Sequence, residues 1–502
     1  MKKINIIIAC LGVLWVSSCD LERMPFNAIE QTQAFQTIDD AIALNNAMYT
    51  SLRNRIQGIY MYSADIQTDM LHSSIDFGNR NGGPYRWSWI DSDYTIRDVW
   101  QGYYSALANV NNFLDNVSKI QTKTSDEAAR LTNLTGEAHF LRAYYYHQLV
   151  KLYAKDYEPS SAATDLGVPL ALKYDVTARP PRASVAEVYA QIVADLAAAR
   201  SMISTAGQAG SIRITKDCVP ALEARVFLSM HRYSEAAASA NELINNPLYP
   251  LANTLDKVRN MWHNDSNDES ILMLFASTTE LPGNYNDPYT GYRSTERNYS
   301  PDFLPEAWVI DSYDDADYRK AVYFEEKPLF YLGINYPVSD GAGIVGIKIV
   351  TKFPGNPALF TTAGVTNTRH KPKVFRVAEA YLIRAEALAF QSAPDAAGAL
   401  AALNAIRVAR GVSALSGLSG ENLKKAVMDE RLREMAYEGT RTDDLKRWNL
   451  GFKRGNPQNV NVVTPGEYVT MGKSAGDNLF VWGIPSRDLL ANENMVQNPG
   501  WQ

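Results

Sequence analysis

The sequence predicts a mainly α-helical protein, a solenoid of stacked helix pairs with long irregular loop inserts and a few short strands. Apolar residues recur at steps of three and four along several segments, which is the spacing of one helix face. An alanine-rich segment follows a helical segment closely in three places, as expected of tightly packed pairs. Two stretches, 58–93 and 250–372, lack this helical spacing and are rich in turn-forming and aromatic residues. These stretches are predicted to be the loop inserts.

The helices are predicted by their starts as well as by their apolar faces. Thr37 and Asp40 form a capping-type start before a helix over 38–56, and Ser184 with Glu187 forms a capping box before another helix. Further helices are predicted over residues 95–118, 136–152, 216–231, 234–246, 374–391, 394–410 and 421–437. The apolar runs at 271–276 and 344–352 favour short strands inside the second insert.

Three of these helices share a weak internal pattern of small and apolar residues. Small side chains at fixed places allow a second helix to approach closely, and an alanine-rich partner follows each of the three helices. Such helix-turn-helix units resemble tetratricopeptide repeats, which stack into a solenoid. The instances of the pattern are Ala138/Leu141/Ala143, Val219/Leu222/Ala224 and Ala380/Ile383/Ala385.

Residues 1–18 have the pattern of an export signal. Lys2 and Lys3 precede an apolar run over 4–16, and two serines then lead to Cys19. The run is shorter than the ~20 residues that span a bilayer. This start resembles a bacterial lipoprotein signal, which implies that Cys19 becomes lipidated. The alternative is ordinary secretion with cleavage near Ser18.

Composition and motifs exclude several classes of function. The chain of 502 residues has a formal net charge of −6 and a pI near 5.7, without a Lys/Arg run for nucleic acid. HExxH, GxSxG, Walker A and GxGxxG motifs are absent, so we predict no cofactor, no metal and no enzyme activity. One catalytic alternative stays open, since the acidic cluster Asp311, Asp314, Asp315 and Asp317 offers carboxylates for glycoside hydrolysis.

The aromatic residues of the two inserts are the better functional signal. If 85–89 is extended, Tyr85, Trp87 and Trp89 point to one face and form a platform. A flat ring packs on the C–H face of a sugar, while Asp, Asn and Arg side chains bind its hydroxyl rim. The structural alternative is that these rings pack the inserts onto the helical body.

Several longer motifs carry a resemblance to a known family. The chain closely resembles the SusD/RagB family of Bacteroidetes outer-membrane nutrient-binding lipoproteins over essentially its whole mature length. The motifs are WQGYYSALAN at 100–109, GEAHFLRAY at 136–144, RVAEAYLIRAEA at 376–387, LNAIR at 403–407, DERLREMAYEG at 429–439, WGIPS at 482–486 and QNPGW at 497–501.

The resemblance implies a surface-exposed protein that is lipid-anchored in the outer membrane. Such a protein captures oligosaccharide or polysaccharide and delivers it to a SusC-like TonB-dependent transporter, without catalysis. A peptide-binding, RagB-like uptake lipoprotein is the alternative, and a repeat adaptor without a small ligand is another.

The resemblance also points to the regions 65–93 and 280–320 as the binding surface. Together with the aromatic pattern, it makes the candidate ligand-binding residues Asp69, Arg80, Tyr85, Trp87, Trp89, Tyr289, Tyr292, Trp308 and, as a lesser candidate, Arg369.

Four regions follow from this reading. They are a signal peptide over 1–18, an N-terminal helical region over 19–250, an aromatic-rich insert over 251–372 and a C-terminal helical region over 373–502. In the last region we expect a structural ion-pair network between helices, formed by Glu430, Arg431, Glu434, Glu438, Arg441 and Asp444.

Overall fold

A computed structural model describes residues 35–283, 286–338 and 346–501 of the chain. Cys19 and the predicted signal peptide lie outside the described residues. The architecture is mainly α-helical, as predicted. The helices are α1 Ile38–Arg53, α2 Ile59–Ile66, α3 Gly82–Arg86, α4 Tyr94–Asn116, α5 Ser125–Tyr153, α6 Val185–Met202, α7 Cys218–Ser229, α8 Tyr233–Ile244, α9 Leu255–His263, α10 Asp287–Thr290, α11 Ala307–Asp311, α12 Tyr318–Tyr323, α13 Val377–Phe390, α14 Ala396–Ala409, α15 Gly420–Met435, α16 Arg441–Arg447 and α17 Ser486–Ala491.

Helix starts agree closely with the capping signals in the sequence. The Thr37 and Ser184 side chains each accept a hydrogen bond from the third residue of their helix, and both capping boxes are complete. The last predicted helix ends at Met435, earlier than expected. The chain turns there because Tyr437 and Gly439 both adopt positive φ angles.

The helices pack as pairs around a shared core. The pairs α5–α6, α7–α8 and α13–α14 each make extensive contact, and α8 also packs on α13. Their small residues are buried at the contacts, among them Ala138, Ala240 and Ala385. Gly136 of α5 lies where a Cβ would meet the Ile203 backbone nitrogen at 3.0 Å, so only glycine permits this close approach.

The two inserts supply short strands that connect the helical regions. The strands are β1 Leu71–Ser73, β2 Leu166–Pro169, β3 Arg182–Ser184, β4 Ser270–Met273, β5 Tyr292–Arg293, β6 Asn298–Tyr299, β7 Phe303–Pro305, β8 Phe324–Glu326, β9 Leu329–Tyr331, β10 Ile334–Tyr336, β11 Lys348–Val350, β12 Lys373–Arg376, β13 Phe452–Lys453 and β14 Gly472–Lys473. The described strands form five two-stranded sheets and one four-stranded sheet of order β10-β9-β6-β5. In that sheet β6 and β9 are parallel and the other neighbours are antiparallel.

A buried ion-pair network joins the C-terminal helices to the second insert. The Glu434 carboxylate, which has no exposed surface, accepts hydrogen bonds from three guanidinium groups, those of Arg319, Arg376 and Arg410. Arg319 comes from α12 in the insert, so the network closes only when that insert folds onto the helices. The predicted network is therefore confirmed, with arginine partners from outside the expected set.

The other expected members also form ion pairs. Glu438 binds Arg376 and Lys352, while Glu430 binds Arg319, Arg407 and Arg433. Arg431 pairs with Asp444, and Arg441 reaches Asp69 in the first insert. The network thus connects both inserts to the helical body.

Removing one carboxylate from this network should be strongly destabilising. We expect Glu434→Gln to lower the free energy of unfolding by about 3–5 kcal/mol or more, because the buried arginines lose their counter-charge. Denaturant unfolding measures this change. Glu421→Gln is the matched control, since Glu421 is exposed and its one ion pair within the described residues is with Lys424, so a loss below about 1 kcal/mol is expected. Equal losses in both variants would contradict the structural role of the network.

The same network predicts how stability depends on pH. Burial alone would raise the pKa of Glu430, but the Arg319 and Arg433 charges overcome it and lower that pKa from 4.5 to about 2. The unfolded chain therefore binds a proton at this position at higher pH than the folded chain does. The contribution of Glu430 to stability is complete above pH 4.5 and declines as the pH falls towards 2.

Denaturant midpoints measured across that acidic range test the expectation. Glu430→Gln should show a shallower decline with acid than the native chain, whereas Glu421→Gln should follow the native slope. An unchanged slope in Glu430→Gln would show that other carboxylates cause the acid sensitivity.

Candidate binding surface

The segment that carries Tyr85, Trp87 and Trp89 is not extended. Residues Gly82–Arg86 form the short helix α3, and Trp87 follows it in the left-handed region with φ of 54°. The three rings therefore point in different directions, since alternation to one face needs an extended strand. The prediction of a shared aromatic face is wrong.

Tyr85 and Trp87 are core residues. The Arg454 guanidinium lies 3.9 Å from the centroid of the buried Tyr85 ring. Trp87 is 5% exposed and packs against Phe452 and Phe480, with centroids 5.5 and 4.8 Å away. Its Nε1 donates to the Gln67 carbonyl oxygen at 2.6 Å, which satisfies the one polar atom of the ring.

Trp89 and Tyr289 are also sealed inside. Trp89 is 6% exposed because Trp482 and Trp501, from the two C-terminal motifs, cover it at centroid distances of 5.1 and 5.5 Å. Tyr289 has no exposed surface, and its hydroxyl donates to Asp65. The expectation that these rings present a sugar platform to solvent is wrong, and the structural alternative describes them correctly.

Asp69 and Trp308 meet each other at a junction between the inserts. The Trp308 Nε1 donates to the Asp69 carbonyl oxygen at 3.0 Å. The buried Asp69 carboxylate accepts two hydrogen bonds from Arg441, at 3.0 and 2.8 Å. Trp308 stays half-buried, so its ring is partly available, while the Asp69 carboxylate is occupied by the arginine.

Arg80 is the predicted residue that the structure leaves both exposed and oriented. Its side chain is 58% exposed, yet Nε donates to both oxygens of Asp302, at 3.0 and 2.8 Å. Nη2 bonds Asp302 and the Asp76 carbonyl oxygen. Among the described residues no acceptor bonds Nη1, so its two N–H groups are held in a fixed direction without a protein partner.

The surroundings of Arg80 are charged. Burial raises the pKa of Asp287, the negative charge of Asp302 raises it further, and the positive charges of Arg80 and Arg369 oppose the rise. The structure therefore brings the predicted Arg80 and Arg369 to one cluster with two carboxylates. Arg369 is half-buried and bonds the Pro282 carbonyl oxygen.

Two further aromatic residues keep part of their surface exposed. Tyr94, at the start of α4, is 42% exposed, and its hydroxyl accepts a hydrogen bond from the Asn81 backbone at 2.8 Å. Tyr292 is half-buried against Tyr299, with ring centroids 5.1 Å apart. Tyr94, Asp287 and Asp302 were missed by sequence reasoning. The Asp93 N-cap signal could have placed Tyr94 at the exposed beginning of a helix.

A surface groove of about 500 Å³ has none of the predicted residues on its lining, and sequence reasoning missed it. Its volume is in the range of small-molecule sites. Leu166 and Leu450 give it exposed apolar surface, and Asp165, Asn449 and Asp477 give it polar groups. These residues come from three distant segments, so no local pattern could have united them.

The acidic cluster is divided between the protein interior and the surface. Asp317 is buried, caps α12 and binds Arg319, whereas Asp314 and Asp315 are exposed. Elsewhere Asp156, Glu158 and His231 bring donor atoms within 4.8 Å of one another. The Asp156 carboxylate, 3.4 Å from Nε2, raises the pKa of His231, which favours a protonated ring paired with the carboxylate over a metal ligand.

Comparisons with known proteins agree with this architecture. A family model described as starch-binding associating with outer membrane matches residues 24–228, and a model described as the SusD family matches residues 349–501. SusD-like protein P2 of Formosa agariphila is 24% identical over 532 residues, and the alignment covers 100% of this chain and 100% of P2. SusD-like protein P38 of the same organism is 24% identical, covering 52% of this chain and 48% of P38.

Solved structures share the fold. A SusD superfamily protein from Bacteroides thetaiotaomicron has a TM-score of 0.78 at 24% identity, covering 92% of this chain and 100% of that one. A SusD-like carbohydrate binding protein from Bacteroides vulgatus has a TM-score of 0.74 at 20% identity, covering 92% and 98%. Over the described part of the chain, the helices lack the length and apolarity needed to cross a membrane.

Since Trp87 is a core residue, its removal should affect stability first. We expect Trp87→Ala to lower the free energy of unfolding by about 3–5 kcal/mol, the cost of emptying a large buried site. Denaturant unfolding measures it. Tyr174→Ala removes an exposed ring and should change stability by no more than about 0.5 kcal/mol. If Trp87→Ala keeps the native free energy of unfolding, the ring is not a core residue.

Proposed function

This chain belongs to the SusD/RagB family, and from that membership we propose that it is a non-catalytic glycan-binding lipoprotein of the cell surface. In this proposal it captures oligosaccharide or polysaccharide and delivers it to a SusC-like TonB-dependent transporter. Lipidation of Cys19 holds it at the outer membrane. The family model described as associating with the outer membrane and the carbohydrate-binding structural neighbour support this assignment.

The observation that carries the binding site is the exposed and fixed guanidinium of Arg80. Asp302 holds the Nε edge of this group, so the Nη1 donors are oriented before any ligand arrives. A pre-oriented donor loses little conformational entropy on binding, and hydrogen bonds from a charged donor are stronger than neutral ones. Sugar hydroxyls and ring oxygens accept such bonds.

An aromatic residue beside the cluster completes the recognition chemistry. The Tyr94 ring offers an apolar face beside a hydroxyl that already bonds Asn81. A saccharide presents a C–H face to such a ring and its hydroxyl rim to the arginine. The surface is open, which suits a long polymer that binds by repeated modest contacts.

The test compares retention of polysaccharides in affinity gels, followed by calorimetry with the oligosaccharide that is retained. Arg80→Lys keeps the positive charge near Asp302 but removes the Nη1 donors, so we expect binding at least roughly tenfold weaker from the lost charged hydrogen bonds. Arg97→Lys is the matched control, because Arg97 is similarly exposed and pairs with Asp98, and its binding should stay native.

Three outcomes would contradict the proposal. If Arg80→Lys binds the glycan as the native chain does and Asn449→Ala loses this binding, the binding site is the 500 Å³ groove. Binding of peptide mixtures but of no saccharide would favour the peptide-uptake alternative. Release of reducing sugar by the purified native protein, lost in Asp314→Asn, would show a hydrolase.

A further inference from the structure

The turn between β9 and β10 is an exposed apolar tip in the second insert. Tyr331 pairs with Ile334 across the two strands, so Leu332 and Gly333 are the two central residues of the turn. Leu332 is 64% exposed and Ile334 is 54% exposed. A Cβ built on Gly333 would meet no atom of the described residues within 4 Å beyond its chain neighbours, so the tip is open on that side.

Leucine is unfavourable at this position for two reasons. Leu332 and Gly333 have φ angles of 51° and 77°, and positive φ at both central residues is typical of a type I′ turn. Such turns prefer asparagine, aspartate or glycine, because the Cβ of other residues is crowded in the left-handed region. The leucine side chain also gains little from burial, since most of it faces water. A bulky apolar residue in a strained and exposed conformation indicates a function.

One residue attaches this tip to the Arg80 surface. The Leu332 N–H donates to the Asp76 carboxylate at 2.6 Å. The Asp76 carbonyl oxygen accepts a hydrogen bond from Arg80 Nη2 at 3.2 Å. Because Asp76 contacts both the backbone of the tip and the guanidinium, the two lie within the length of a short oligosaccharide.

The base of the hairpin is fixed to the same surface. The buried Tyr331 hydroxyl donates to the Pro301 carbonyl oxygen at 3.0 Å. Pro301 directly precedes Asp302, whose carboxylate accepts from Arg80 Nε at 3.0 and 2.8 Å. The hairpin is therefore held beside Arg80 by contacts at two separate places.

The tip and the guanidinium offer different chemistry to a ligand. Arg80 Nη1 offers charged N–H donors to oxygen atoms. Leu332 and Ile334 offer branched aliphatic groups, which pack around a small apolar group, whereas an aromatic ring packs on a flat C–H face. A hexose without substituents carries a hydroxyl on most of its carbons and has no such group at its rim. A methyl group beside sugar oxygens suits both parts of this surface.

We propose that the tip makes the Arg80 surface selective for saccharides that carry methyl groups, as 6-deoxy sugars and acetyl esters do. This inference rests on the proposed glycan-binding function and specifies its ligand. Arg80 binds an oxygen of the saccharide, and the methyl group is buried against Leu332 and Ile334. Burial of one methyl group favours binding by about fourfold. Several methyl groups along one polymer increase its retention further.

Two matched pairs of saccharides test this inference with the purified native chain. L-Fucose and L-galactose differ only in a methyl group that replaces a hydroxymethyl group, and ligand-observed NMR titration compares their affinities. Affinity gels compare glucomannan before and after alkaline removal of its acetyl esters. We expect the methyl-bearing member to bind at least about threefold more tightly in one pair or in both. The pair that shows the preference tells whether the methyl group belongs to a deoxy sugar or to an ester.

Leu332→Asn separates a binding role from a structural one. Asparagine adopts the left-handed conformation more readily than leucine and keeps the N–H that bonds Asp76, so the thermal unfolding midpoint should stay native or rise. The aliphatic group is lost, so the preference for the methyl-bearing saccharide should disappear. Arg297→Asn is the matched control, since Arg297 is exposed and has a φ of 54°. Arg297 precedes β6 whereas Leu332 follows the parallel strand β9, so it lies at the opposite end of the sheet, and its variant should keep the native preference.

Several results would overturn the inference. Equal binding within both pairs, with binding weakened in Arg80→Lys, would contradict it and leave the proposed function intact. The native preference in Leu332→Asn would show that the methyl group is bound elsewhere. A clearly lower unfolding midpoint in Leu332→Asn would show that the leucine serves the fold. Failure of the native chain to bind any saccharide would contradict the proposed function itself, and this inference with it.

Discussion

The fold depends on one buried carboxylate that three arginines share. Glu434 lies at the end of α15, while its partners come from α12, from the last residue of β12 and from the residue after α14. A buried charge without a partner is costly, so the carboxylate enforces the approach of all three segments. Because Arg319 belongs to the second insert, the same interaction attaches the irregular part of the chain to its helical part. The Arg80 surface joins the first insert to Asp302 of the second insert, so it also depends on this attachment.

Aromatic residues have a different role from the one that their pattern indicates. Turn-forming residues around Trp87 and Trp89 are typical of an exposed loop, and exposed rings are typical of carbohydrate sites. In the structure these rings are covered by residues far along the chain, Phe452, Phe480, Trp482 and Trp501. A large ring stabilises a fold most when it is buried, so a loop that anchors an insert uses the same residue types as a loop that binds sugar.

The Arg80 guanidinium combines a structural contact with unused donors. Asp302 holds it through one edge, and within the described residues no acceptor bonds its Nη1. The planar fork of the guanidinium permits this division, since its donors point along separate directions. A lysine in this place would offer one ammonium group for both tasks.

The sequence by itself determined the helical class, most helix positions, both capping boxes and the resemblance to the SusD/RagB family. These depend on local spacing, on caps within four residues and on motifs that are contiguous in the chain. It also predicted an ion-pair network that joins Glu430, Glu434 and Glu438 with Arg431 and Arg441, but these glutamates pair with other arginines. Only the tertiary structure decided that Tyr85, Trp87, Trp89 and Tyr289 are core residues and that Arg80 stays exposed against Asp302. Burial and pairing depend on segments brought together across hundreds of residues, and no local pattern in a single sequence records which segments those are.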